Sequence, residues 1–236
     1  IGCIFPMILL FYRSSPDSCG MTMEQGMVPY QGKKHGFAED AVHELTIHEA
    51  RRRFDYWVIL AMIGYWSLFN TAFTFHVVSI FGEVGMDANQ AVAIFLPISV
   101  FSVIARFIGS YLSDRLPMKG IFIVFGAAMF LASASLAGMQ YPVSRYVAIF
   151  AYGVSTGLFG MLQIVAWPKL YGRRHLGALS GFAMSIAVAG SAVGPWLFSL
   201  VHQVSGTYRH AGIGGMICMS ILTLIVTRTR FSGATD

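Results

Sequence analysis

The chain has 236 residues, of which 56% are hydrophobic and only 11% charged, and its mean hydropathy is +0.63, too apolar for a soluble domain of this length. The net charge of +5 does not point to nucleic acid, because the basic residues fall in short clusters between apolar runs instead of along one continuous face. Cys3, Cys19 and Cys218 follow no metal-ligand or disulfide spacing, and no cofactor is expected.

In chain order, Ile1 to Tyr12 is apolar but too short to span a membrane, and it has neither an initiator Met nor a basic region before it, so it fails as a signal peptide. It reads as the end of a preceding helix, which makes the chain a fragment of a longer protein or a domain cut from one. Residues 13–55 read as a linker, broken early by Pro16, Gly20, Gly26, Pro29 and Gly32. Near its end Thr46 stands three residues before Glu49, the capping-box spacing, and Arg51 to Arg53 lead into Tyr56 and Trp57. That pattern predicts an amphipathic helix start anchored at lipid headgroups.

Six runs then follow, each long enough to cross about 30 Å of hydrocarbon at ~1.5 Å per helical residue. They are Tyr56–Phe81, Asn89–Ser113, Gly120–Gln140, Val143–Trp167, Leu176–His202 and Ala211–Val226. The Lys and Arg residues of the linker, of Arg115 and Lys119, of Lys169, Arg173 and Arg174, and of Arg228 and Arg230 all fall on one side of these spans. Only Arg145 and Arg209 fall on the other. The basic side is therefore expected to be cytoplasmic, with the linker and the C-terminal tail (residues 229–236) inside a plasma or inner membrane.

One cation stands apart. Arg106 is the only Lys, Arg, Asp or Glu in the interior of a span, about 12 Å from Asp114 along the helix and so close to mid-membrane. An unpaired cation there costs roughly 2.5 to 3.5 kcal/mol on insertion scales, so an anion is expected to reward it. The guanidinium fork suits a carboxylate, with two parallel hydrogen bonds and a charge that persists at every relevant pH. The alternative is a structural ion pair with an acid outside the spans present, which themselves contain none.

The residues Ala105 to Arg115, reading ARFIGSYLSDR, resemble the Gly-x-x-x-(Ser/Asp)-Asp-Arg loop of the major facilitator superfamily, in the copy after its eighth helix. WPKLYGRRHLG (Trp167 to Gly177) and GSAVGPWLF (Gly190 to Phe198) resemble the tenth and eleventh helices of its monocarboxylate-transporter and oxalate/formate-antiporter branch. The resemblance implies an all-α membrane protein: a stub of helix six, a central cytoplasmic loop, and a C-terminal six-helix bundle over residues 56–228 that works with an N-terminal six-helix half. It also implies that Arg106 is the substrate-carboxylate arginine. Two departures matter. The fifth span has no Lys or Arg to serve as the second clamp of a dianion, and Ser102 stands where animal monocarboxylate carriers have a proton-coupling aspartate. Coupling is then left to the absent half, or the protein is a uniporter or exchanger.

Around Arg106, the other candidates for substrate contact are Tyr65, Asn70 and His76 on the first span, Tyr152 on the fourth and Ser191 on the fifth. Asn70 is the foremost, lying at mid-depth. Gly153, Gly157 and Gly160 offer small faces for helix packing, as do Ser155 and Thr156 beside them. Gly190, Gly194 and Pro195 interrupt the fifth span at a place where a rocking bundle would bend. Candidate gating residues are Gly109, Asp114, Arg115, Arg173 and Arg174. Asp114 is expected to meet the positive N-terminus of a neighbouring helix and Arg115 to bond carbonyls or carboxylates, although anchoring at the inner surface also accounts for the basic residues.

No enzyme is expected. Ser180 lies in Leu179-Ser180-Gly181 without the framing glycine of an intramembrane serine hydrolase, and the spans hold no metal-ligand cluster. The expected function is secondary transport of a small organic anion, a monocarboxylate in particular, by alternating access. The competing class is a non-transporting or half-size membrane protein, structural or sensory, that pairs with a separate half. The expected partners are a carboxylate substrate, the bilayer and the missing half.

Overall fold

The computed structural model describes residues 45–172, 174–229 and 231, so the expected helix end at Ile1 to Tyr12, most of the linker and Arg173 lie outside the described residues. Within them the regular elements are all helices. A single turn, α1 (Ile47–Arg51), precedes α2 (Phe54–Gly82), α3 (Ala88–Ala93), α4 (Phe95–Ser113), α5 (Met118–Ala137), α6 (Pro142–Tyr171), α7 (Leu176–Ser205) and α8 (Arg209–Arg228). Because α3 and α4 make one span, six segments are long and apolar enough to cross a membrane. Their bounds lie within a few residues of those expected from the hydropathy alone.

Local chemistry sets the breaks. Pro97 has no N–H to give Ala93, so the helix is interrupted at Ile94 between α3 and α4. Pro142 opens α6, where a missing N–H costs nothing, and Gly206, at φ 70°, ends α7 in the left-handed conformation. Consecutive spans alternate in direction. Asp114, Lys169 and the α1 segment share one end, called here the basic end, while Glu83, Arg145 and Tyr208 share the other.

The main packing pairs are α2 on α7, α4 on α6, and α5 on both α6 and α8. Phe69, Phe122, Phe125 and Trp167 are fully buried in the core between these helices. By contrast α4, α7 and α8 are only 22%, 17% and 22% buried along their most apolar stretches, with Leu96, Phe107 and Trp196 turned outward. Those apolar faces need hydrocarbon or another helical bundle to cover them.

α7 runs unbroken through Gly190, Gly194 and Pro195, where the sequence suggested an interruption. Its glycines lie directly on α2: a Cβ at Gly190 would strike the Gly64 carbonyl oxygen, and one at Gly194 the Leu68 carbonyl oxygen. Backbone cannot step aside as a side chain can, so Gly190→Val should cost at least the ~1–3 kcal/mol typical of overpacking. Thermal melting in detergent should show a clear loss for that variant and little change for Gly181→Val, whose Cβ meets nothing within 4 Å.

At the basic end the expected capping box is present. Glu49 Oε2 accepts from the Thr46 N–H at 2.7 Å and Thr46 Oγ1 accepts from the Glu49 N–H at 3.4 Å, and the Thr46 backbone donor holds the Glu49 carboxyl below its usual range. The aromatics beyond it depart from the headgroup reading. Tyr56 is fully buried and donates to the Leu179 carbonyl at 3.1 Å, and only Trp57 remains exposed. The α1 segment is strapped over the ends of α6 and α7 instead: the Leu45 N–H donates to Tyr171 O at 3.1 Å, and buried Asp55 accepts from Arg53 Nε at 3.0 Å and from the Tyr171 hydroxyl at 3.3 Å. At the opposite end Glu83 accepts from Thr207 Oγ1 and the Tyr208 N–H and lies 3.4 Å from His202 Nε2, which ties α2 to the α7–α8 loop.

Candidate functional site

Trp66, Asn70 and Thr74 recur every four residues and so share one face of α2. That face looks toward α6, from which Tyr152, Thr156 and Gly160 return on the same spacing. Phe69 and Phe73 pack on the Tyr152 ring at 6.2 and 4.7 Å, and Trp66 stacks on Phe159, so aromatic rings bridge the two helices. Arg106 completes the arrangement from α4. Its guanidinium lies between two adjoining depressions, of 580 and 540 Å³, both of which also include Thr156.

The first depression holds the polar groups Asn70, Thr74, Ser99, Ser102 and Tyr152 beside Arg106. The Tyr152 hydroxyl donates to Asn70 Oδ1 at 2.7 Å, which occupies the amide as acceptor and leaves its NH2 to donate elsewhere. The second holds Ser67, Gln163 and Ser191, floored by Trp66 and Gly160. Ser191 is partly engaged already, its hydroxyl 2.6 Å from Thr71 Oγ1. The Trp66 indole N–H is buried without a partner in the described structure.

Arg106 is exposed, and among the described residues it has no hydrogen bond and no carboxylate partner. The described acids, Glu49, Asp55, Glu83, Asp87 and Asp114, all stand at helix ends or in connections, away from mid-span. What holds the guanidinium is a close seat on α6. A Cβ at Gly160 would lie 2.7 Å from Arg106 Cζ and closer still to Nη2. One and two turns earlier, Gly157 and Gly153 let the α4 backbone come just as near at Ser102 and Ile98.

The structure thus brings together Arg106, Asn70, Tyr152 and, at the rim of the second depression, Ser191. It does not bring Tyr65 or His76 to them. Tyr65 faces the other side of α2, its hydroxyl 3.0 Å from Ser133 Oγ on α5 and against Gly215 on α8. His76 lies toward the opposite end, its Nδ1 2.9 Å from the Ala72 carbonyl oxygen and its ring beside Phe198 and Tyr208. Thr156, Gly160 and Gln163 join the site without having been singled out for it. Their spacing from Tyr152 on one helical face was the available signal for the first two.

At the basic end Asp114 pairs with Lys169 Nζ at 3.0 Å, and the same ammonium donates to the Ser113 carbonyl. This replaces the expected contact with a helix N-terminus, for a simple reason. α4 and α6 run parallel, so two negative carbonyl ends meet there and a lysine satisfies both them and the carboxylate. Arg115 stacks over the Tyr111 ring at 4.3 Å instead of bonding a carboxylate. Gly109 comes close to α6, where a Cβ would lie 2.9 Å from Leu158 Cδ2, and Arg174 is exposed just before α7.

The family model of the Major Facilitator Superfamily matches residues 2–195, a stretch that runs through α1 to α6 and into α7 past Gly194. No curated protein matches the chain.

Proposed function

The chain belongs to the major facilitator superfamily, a family of multi-pass membrane transporters and not of enzymes, and on that premise we propose that it carries a small organic anion, a monocarboxylate, across the membrane. The observation that supports this most is the exposed Arg106 guanidinium, seated on Gly160 between two polar depressions at mid-span with no carboxylate partner among the described residues. A substrate carboxylate would take both arms of the fork, with Asn70 Nδ2 as a further donor, and the aromatic ring cluster would wall its organic part.

The depressions open on the outward faces of α4 and α7, so the other wall belongs to a second six-helix bundle, and rocking of the two bundles alternates access. The absence of a second cation on α7 favours a single carboxylate over a dianion. The basic end is assigned to the cytoplasm by its excess of Lys and Arg, in a plasma or inner membrane. The motifs Trp167 to Gly177 and Gly190 to Phe198 support a place in the monocarboxylate and oxalate/formate branch.

The test is competition for uptake in proteoliposomes of the full-length protein. Short monocarboxylates should compete with one another, whereas dicarboxylates and amines of like size should not. Equal inhibition by dicarboxylates would remove the single-clamp reading, and absence of any carboxylate uptake would favour a non-transporting role.

A further inference from the structure

α4 and α5 follow one another in sequence yet pack on α6 instead of on each other. This leaves an open groove of 390 Å³ between them, floored by α6. Its walls include Ile104, Ile108 and Leu112 from α4 and Gly120 and Val124 from α5, with Val154 beneath, and every side chain that lines it is apolar. Such a volume falls within the range of small-molecule pockets, roughly 300–1,000 Å³.

The groove is not part of the Arg106 site. At 100° per residue Ile104 and Ile108 stand about half a turn around α4 from Arg106, and no α5 residue borders either depression. A second bundle seated over Arg106 therefore leaves this flank facing hydrocarbon. The groove reaches the basic end at Leu116 and Gly120, which are the sequence neighbours of Arg115 and Lys119. Neither cation has a carboxylate partner among the described residues, since Asp114 is engaged by Lys169 and Arg115 rests on the Tyr111 ring. An apolar slot that ends, at the basic end of the spans, beside two cations with no carboxylate partner among the described residues matches one ligand chemistry, an acyl chain carrying an anionic headgroup.

We propose that the α4–α5 groove binds an anionic phospholipid, its acyl chain along Ile104, Ile108 and Val124 and its phosphate at Arg115 and Lys119. The geometry gives each part a separate test. The full-length protein in mixed micelles is photolysed with phosphatidylglycerol carrying a diazirine on one acyl chain, or with the matching phosphatidylcholine, and the adducts are mapped by peptide mass spectrometry. Adducts are expected on α4 and α5 groove residues, more with phosphatidylglycerol than with phosphatidylcholine. Arg115→Gln with Lys119→Gln should lower phosphatidylglycerol adducts about tenfold, to the phosphatidylcholine level. Gly120→Leu, whose new side chain enters space with nothing within 4 Å of its Cβ, should block the mouth and lower both lipids alike. Adducts confined to other helices, equal labelling by the two lipids, or undiminished groove labelling in both variants would each overturn the proposal. The paired Gln variant decides alone if Gly120→Leu melts below the wild type. No transport is measured, so failure here is separate from failure of the carboxylate assignment.

Discussion

Arg106→Ala in the full-length protein is expected to abolish saturable carboxylate uptake while leaving the protein inserted and at least as stable. Both halves of that result follow from the same physics. Hydrogen bonds to charged groups contribute about 1.5–3 kcal/mol each, so loss of a two-pronged clamp weakens carboxylate binding by roughly 10² to 10⁴. The guanidinium gives nothing comparable to the fold, since among the described residues it has no hydrogen-bonding partner, and its removal from mid-membrane relieves roughly 2.5–3.5 kcal/mol of insertion cost. Thermal melting without substrate should therefore hold or rise. Arg106→Lys keeps the charge but not the planar fork, and should fall between the two, with a raised KM for uptake. If Arg106→Ala transports normally, or if it melts well below the wild type, the arginine is a structural ion pair with an acid elsewhere in the protein and the anion site lies in another place.

The architecture was legible in the sequence because the bilayer imposes it. A span needs about 20 apolar residues, and Pro97, Pro142 and Gly206 mark local breaks and ends by backbone chemistry that needs no tertiary partner. Arg106 was legible for a related reason, since a charge inside a span is costly wherever the helix turns. Facing was harder to read. α2 is apolar on nearly every side, so its periodicity does not tell which flank meets α6, and Tyr65 and Asn70, only five residues apart, end on different sides of it. Tertiary pairing was hidden altogether. Asp114 finds Lys169 because α4 and α6 happen to run parallel, and Tyr56, spaced like an interfacial aromatic, is buried because its ring packs against Trp167 and Tyr171 of α6 and Phe182 of α7 and its hydroxyl reaches the Leu179 carbonyl. Glycines were read by type and not by contact: the same small face serves backbone approach at Gly157 and a side-chain seat at Gly160.

That difference between two glycines one turn apart yields a prediction as large as the first. A Cβ at Gly157 would collide with the Ser102 carbonyl oxygen and crowd Ala105 Cβ at 2.9 Å, both fixed parts of α4. Gly157→Ala must therefore push the helices apart, and it should melt lower by the ~1–3 kcal/mol typical of overpacking. At Gly160 the three atoms nearest the Cβ all belong to the guanidinium of Arg106, the far end of a long side chain that has no hydrogen bond among the described residues. Here the neighbour swings away at little cost to the fold, and the expense falls on function. Gly160→Ala should keep the wild-type melting temperature yet displace the fork by an ångström or more. Misplacement of that order costs about 100-fold where reacting or binding groups must be aligned. Uptake should thus drop nearly as far in Gly160→Ala as in Arg106→Ala, and the double variant should be no worse than Arg106→Ala alone, because the glycine acts only through the arginine. Additive losses in the double variant, or a Gly160→Ala protein that melts low and transports in proportion to its folded fraction, would reduce Gly160 to a packing residue like Gly157.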